Sequence, residues 1–392
     1  MSPRVDDYFG SDAASWTLDR TVAVVAAYLP VSLVSPESLQ RVISLTRQLP
    51  AALSQFVYIE CRLTASDPQV DVILNITDAG RRIIAGQNPV IALPERLRAH
   101  PLWQRVIEFC RRWTDPRSPL HDTVRSIWLE FDLDERCSDV PVPGIFVRLE
   151  GGIDQTTSVP EPEKVLLVCN AILPVLLGRE LESSMHEHVR RCIDSLPAGA
   201  RLSEIGALLP RADHWIRLCI KDVPEPLLLP YLSSVGWGGH SNELQSILER
   251  FSKAEVPGHR GAMHPGYLDL DVGDVVEARL GLEYFMERGP RQLVHGVSES
   301  AWLDKLVDAR VCARDKRDGL LAWPGYFHAR FAHEVWPSVV VRHANHVKLV
   351  YAPGQPLIAK AYLYFLHQHY KRTDGGENPW MRSSLGASTN QP

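Results

Sequence analysis

The sequence has no short motif that fixes a reaction. It lacks a GxSxG elbow, an HExxH pair, a kinase-type lysine motif and a neighbouring Cys–His pair, and GWGGH at 236–240 is too short for a phosphate-cradling loop. It also lacks any CxxC pair. The seven cysteines (Cys61, Cys110, Cys137, Cys169, Cys192, Cys219 and Cys312) are odd in number and unpatterned, which argues against a disulfide framework and for buried thiols in a reducing compartment. Long apolar runs are missing too. The longest, Val165 to Gly178 (VLLVCNAILPVLLG), is broken by Asn170 and Pro174 and falls short of the roughly 20 residues that cross a bilayer. The start, MSPRVDDYFGSD, has neither the basic end nor the apolar core of a signal peptide. Together these absences predict a cytoplasmic protein with no membrane partner. Positive charge is in deficit, with a net charge of −5 and a pI near 6.3, so nucleic acid is not an expected partner and any cationic site must be local.

What is present is strict alternation. In Tyr267 to Phe285, YLDLDVGDVVEARLGLEYF, one side carries Tyr267, Asp269 and Asp271 against Leu268, Leu270 and Val272, and the second arm sets Arg279, Gly281 and Glu283 against Leu280, Leu282 and Tyr284. Gly273 and Asp274 supply the turn of this hairpin. The same pattern recurs at Gln55–Leu63 with Val70–Thr77, at Ser126–Asp134 (SIWLEFDLD) with Gly144–Glu150, and at Ser338–Val350 with Ile358–Phe365. His214–Asp222 (HWIRLCIKD) alternates as well, but its partner is not legible, because Leu227–Val235 and Glu243–Phe251 read as helical. Helical patterns also cover Ser35–Leu49, about 94–113, 161–196 and Ser298–Val311.

A helix, strand, strand, helix unit therefore appears about five times. The predicted class is α/β (α+β), an antiparallel barrel or strongly curved sheet surrounded by helices. One domain spans 18–372, between a loose leader at 1–17 and a Gly, Ser, Asn and Pro-rich tail at 373–392. Closure is favoured because it removes exposed strand edges. An open sheet with one solvated face would show the same alternation.

If the apolar sides face the helices, the other sides line an interior. Its basic set is Arg62, Arg148, Arg217, Lys221, Arg279, Arg342, Lys348 and Lys360; its acidic set is Glu60, Glu130, Asp132, Asp269, Asp271 and Glu283. Trp128, Trp215, Tyr58, Tyr267 and Tyr362 or Tyr364 lie among them. Clustered Arg and Lys in a desolvated space attract a polyanion such as a diphosphate, and aromatic rings beside them shield a carbocation. Histidines offer less. His186 and His188 point about 200° apart on a helix, and the odd separation of His343 and His346 places them on opposite faces of a strand. HQHY at 367–370 would need distant help to bind a metal, and LLAWPGY at 320–326 reads as a helix stop with Trp323 packed beneath it.

Five such units with charged strand interiors resemble the ABBA prenyltransferase barrel of aromatic, indole and peptide prenyltransferases, over roughly residues 35–370. The resemblance implies an isoprenoid diphosphate as donor and an aromatic or peptide acceptor. It assigns Glu130 as the acceptor-anchoring acid and Arg148, Arg217, Lys221, Arg279 and Lys348 as the diphosphate clamp. Trp128, Trp215, Tyr267 and Tyr362 would shield the allylic cation, whereas the parity of Tyr284 and Tyr351 puts them on the apolar side. No DDxxD pair is present, so no cofactor is required; Mg2+ would sit at Asp132 with Asp134, or at Asp269 with Asp271, if both members pointed inward. The alternative is a non-catalytic protein that holds a peptide or small molecule for a partner enzyme.

Overall fold

The alternating segments become the staves of a closed ring. The computed structural model describes residues 17–54, 56–64, 68–133, 140–154, 161–210, 215–251, 265–286, 297–329 and 338–369. The tail, and all of the leader but Thr17, lie outside them. The strands are β1 (Phe56–Arg62), β2 (Val70–Ile76), β3 (Val124–Asp132), β4 (Gly144–Asp154), β5 (Arg201–Ala207), β6 (Ile216–Lys221), β7 (Pro265–Val272), β8 (Val276–Phe285), β9 (Gly325–Ala329), β10 (Ser338–Tyr351) and β11 (Ile358–His369). Each pairs antiparallel with its neighbours. β1 bonds to β2 on one side and to β11 on the other, and β11 returns through β10 to β8, so ten strands close on themselves. β9 adds a short strand to the stretch of β10 that β8 leaves free.

Closure gives every strand two unlike faces. Outward side chains such as Ile59, Leu129, Leu218, Leu270, Leu282 and Leu349 join the helices in one continuous apolar layer. Helix Pro101–Thr114 shows how the layer is built: Trp103, Val106, Ile107, Cys110 and Trp113 recur at three- and four-residue spacing and are all buried. Its Trp113 donates its indole N–H to Val124 O at 2.8 Å, and Trp323 and Trp237 bond to His343 O and Ala278 O in the same way. Buried indoles thus find barrel carbonyls for their one polar atom. Helix Pro36–Thr46 starts where expected, with Ser35 accepting from Ser38 N and proline in the first turn.

Two irregularities hid part of this from the sequence. β5 is the partner of β6 that the alternation code does not show, because a register shift between Leu202 and Glu204 interrupts it. In β10 a bulge at Asn345 separates Ala344 from His346. The extra residue resets the alternation, so His343 and His346 both face inward, contrary to the reading from their spacing. The same reset turns Arg342 outward, where its guanidinium lies over Tyr28 at 4.4 Å and Trp323 at 5.2 Å, and removes it from the interior set. Deleting Asn345 would restore strict alternation and drive one half of β10 onto the wrong face. The expected cost is about 3 kcal/mol or more, read as a lowered denaturation midpoint.

Candidate active site in the barrel lumen

Part of the inward surface is aromatic and apolar. Phe146, Leu208, Cys219 and Tyr267 pack with Trp128 and Phe285, while Tyr58, Ile73 and Tyr362 pack with Phe56, Trp128 and Tyr364. Trp128 belongs to both groups and meets Tyr58 edge-on at 5.3 Å. His346 stacks on Tyr362 with centroids 3.9 Å apart and lies 5.1 Å from Phe285.

The rest of the inward surface is charged and desolvated. Glu60, Asp71, Arg217, Asp269, Asp271 and Lys348 are each less than a tenth exposed. Arg217 on β6 donates to both oxygens of Asp271 at 2.7 and 2.9 Å, and Arg279 adds a third contact at 3.0 Å. Lys348 on β10 reaches over β8 to bond Asp269 on β7. Gly281 makes that reach possible: a Cβ there would lie 2.5 Å from Lys348 Cε. At β1 and β11, Glu60 receives Arg62 at 2.5 Å and Lys360 at 2.6 Å. Two carboxylates are held loosely. Glu283 lies 3.6 Å from both Lys348 Nζ and His346 Nε2, and Glu204 lies 3.9 Å from Arg148.

Burial raises the pKa of any lumen carboxyl, and the nearby cations decide which of them stay ionised. Burial opposes ionisation of Glu60, but Arg62, the Tyr362 hydroxyl and Lys348 outweigh it and hold the carboxyl below its usual range. Asp271 is held down by Arg217 and Arg279 in the same way, again against burial. Where the cation is more distant, burial wins. Glu283 is pushed up to about 8 by burial and by the Asp269 carboxylate, with Lys348 opposing. Asp71 is raised by burial and by Glu60 and Asp132, and Glu204 by burial against the pull of Arg148. The carboxylates Glu60, Asp71, Glu130, Asp132, Glu204, Asp269, Asp271 and Glu283 outnumber the cations Arg62, Arg148, Arg217, Arg279, Lys348 and Lys360 by eight to six. The upward shifts of Asp71, Glu204 and Glu283 act to reduce that excess.

Most of the residues singled out from the sequence meet here. Arg217, Arg279 and Lys348 converge on Asp269 and Asp271. Glu130 sits beside Trp128 on the inner face of β3, and its charge acts on Arg217 from across the ring. Tyr267 and Tyr362 belong to the aromatic lining. Arg148 and Lys221 stand nearer the solvent, with side chains 36% and 34% exposed, the latter 3.9 Å from Asp222. Trp215 precedes β6, is half-buried and joins neither aromatic cluster. Tyr284 packs outward on Trp302, and Tyr351 bonds Glu243 outside the ring, so neither lines the lumen. His188 is turned toward the carbonyl of Gly273 at 3.3 Å and docks its helix on the β7–β8 turn. Asp269 and Asp271 both point inward but are taken up by Lys348 and Arg217, and Asp134 lies outside the described residues. Among the described residues no three His, Cys, Asp or Glu side chains are grouped to hold a metal.

Sequence reasoning passed over Asp71, Phe146, Glu204 and Phe285, and it put His343 and His346 on opposite faces where both turn inward onto Tyr364 and Tyr362. Asp71 and Asn75 alternate with Val72, Leu74 and Ile76, so the two-residue period would have found them. Five successive hairpins, closed into ten antiparallel strands with helices outside and charge within, decide the architecture. It is an ABBA-type barrel.

No protein-family model and no curated sequence matches the chain. Among solved structures, this ABBA-type barrel is similar to the prenyltransferase PriB in ternary complex with L-tryptophan and dimethylallyl thiolodiphosphate. That match has 13% identity and a TM-score of 0.48, over 89% of this chain and 96% of that one. It is similar also to 5-dimethylallyltryptophan synthase from Streptomyces coelicolor, at 16% identity and a TM-score of 0.47 over 90% and 98%. A third is AnaPT from Neosartorya fischeri, at 12% identity and 0.46 over 91% and 93%.

Proposed function

We propose that the protein transfers an isoprenoid group from its diphosphate to an aromatic acceptor, either a small molecule or an aromatic side chain of a peptide. The observation that carries this reading is the composition of the lumen: a continuous aromatic lining beside desolvated Arg and Lys side chains, inside a closed barrel. Diphosphate oxygens would engage Arg217, Arg279, Lys348 and Lys360, with Arg148 and Lys221 toward the solvent. As the C1–O bond breaks, its electron pair leaves with the diphosphate and the positive side chains stabilise the departing charge. Tyr267, Tyr362 and Trp128 would face the allylic cation with their π surfaces, and Glu130 would orient the acceptor. The reading needs no metal ion, and Mg2+ would act by screening the diphosphate. The six described cysteines are free and buried, which suits a reducing compartment. No described helix is long and apolar enough to cross a membrane.

The rival reading, a non-catalytic binding protein, has one observation in its favour: Arg217, Lys348 and Lys360 already hold carboxylate partners. Incubation with dimethylallyl, geranyl and farnesyl diphosphates and a panel of indoles, phenols and aromatic peptides, with Mg2+ and with EDTA, separates the two. Acceptor mass gained by one prenyl unit is the expected result. No diphosphate affinity and no product with any pair would remove the enzyme reading.

A further inference from the structure

Five lumen carboxylates divide by how they are held. Glu60 and Asp271 have cations at 2.5–3.0 Å, Asp269 is bonded to Lys348, and Asp71 accepts from Leu133 N at 3.0 Å. Among the described residues, the ion-pair partners of Glu283 are Lys348 and His346, both at 3.6 Å. Its surroundings are also different. Across β7 it is paired in register with Tyr267, the next inward residue on its own strand is Phe285, and His346 beyond it is stacked on Tyr362. A weakly tethered carboxylate thus lies where the charged surface meets the aromatic one.

We propose that Glu283 is the group that removes the proton from the alkylated acceptor, with His346 as its positioning partner. This rests on the transferase reading above. The ring π pair forms the new bond to C1 as the C1–O pair departs with the diphosphate, giving a protonated, non-aromatic ring. Glu283 then takes the proton from the substituted ring carbon, and the C–H electron pair restores aromaticity. From Glu283 the proton passes to His346 Nε2 or to the released diphosphate. The charged and titratable groups facing Glu283 are Asp269 and Tyr267 on β7, Cys219 on β6, Glu204 on β5, Lys348 and His346 on β10, and Tyr362 on β11. Burial among them pushes its carboxyl up to about 8, where an acid serves both directions of proton transfer near neutrality.

The test begins with the whole wild-type chain, dimethylallyl diphosphate and an acceptor that it alkylates, followed by the same acceptor deuterated at the reacting carbon. At saturating donor, wild type is expected to show kcat rising with pH through the donor-bound Glu283 titration to a plateau, and little isotope effect at the plateau. Glu283→Gln is expected to keep donor binding, lose about 100-fold in kcat, lose the pH limb and acquire a primary isotope effect. His346→Asn is expected to shift the limb while kcat falls less. A Glu283→Gln enzyme within a few-fold of wild type, or one whose pH limb persists, would overturn the assignment. The wild-type pH profile and isotope effect need no variant, so misfolding of Glu283→Gln would not protect the assignment: a flat wild-type profile overturns it as well. A wild type that alkylates nothing removes the transferase reading and this assignment together, whereas a working enzyme indifferent to Glu283 removes this assignment alone.

Discussion

Replacing Arg217 by Met is expected to destabilise the fold by about 3–5 kcal/mol, because it leaves the Asp271 carboxylate buried with Arg279 as its remaining close cation. The double variant Arg217→Met with Asp271→Leu removes both charges and is expected to recover most of that loss, since an apolar pair of similar volume is often as stable as a buried ion pair. Binding should behave differently. If Arg217 grips the donor diphosphate, the double variant melts close to wild type yet binds prenyl diphosphate about 100-fold more weakly, the equivalent of one or two charge-assisted hydrogen bonds. Calorimetric titration of both variants reads the difference. Recovery of stability and affinity together would make Arg217 a structural residue and return the clamp to Lys348 and Lys360.

Donor affinity is expected to fall about tenfold per pH unit above pH 8. The sign follows from Glu283. Its carboxyl is pushed up to about 8, so below that value Asp269 is the anion bonded to Lys348, and above it a second anion faces Lys348. A diphosphate bound at the proposed clamp would raise the Glu283 pKa further, so binding is expected to take up a proton wherever free Glu283 is ionised. Titrations in buffers of different ionisation enthalpy measure that proton directly. Glu283→Gln should abolish both the uptake and the pH slope. In the ligand-free protein the same raised pKa contributes stability that is fully present below the ordinary value of 4.5 and is lost as pH rises through about 8. The thermal midpoint of Glu283→Gln should therefore be flatter over that interval. An affinity independent of pH between 7 and 9 would contradict the placement of Lys348 in the clamp.

Much of this was legible because a strand period of two is a simple code. Leu268, Leu270, Leu280 and Leu282 mark one face of β7 and β8, and Asp269, Asp271 and Arg279 mark the other; the lumen follows once the ring closes. The failures came where one residue breaks the period. The register shift after Leu202 concealed β5 and with it Glu204, and the bulge at Asn345 hid the inward turn of His346 and the outward turn of Arg342. Pairing was beyond the code altogether. Nothing in the spacing of Arg217 and Asp271, or of Lys348 and Asp269, says that strands far apart in the chain bring them into contact. The sequence therefore showed a cationic interior and not that each central cation is already matched by acid. On the transferase reading, that matching would tie donor binding to protons.

The most direct measurement is the structure of the protein with a non-reactive prenyl thiolodiphosphate. The account predicts the diphosphate inside the barrel, within hydrogen-bonding distance of Arg217 and Lys348, with Asp269 or Asp271 released, and the prenyl chain lying along Tyr267 and Tyr362. An analogue held only at the rim or on the outer helices, with the Arg217–Asp271 and Lys348–Asp269 pairs intact, would contradict it.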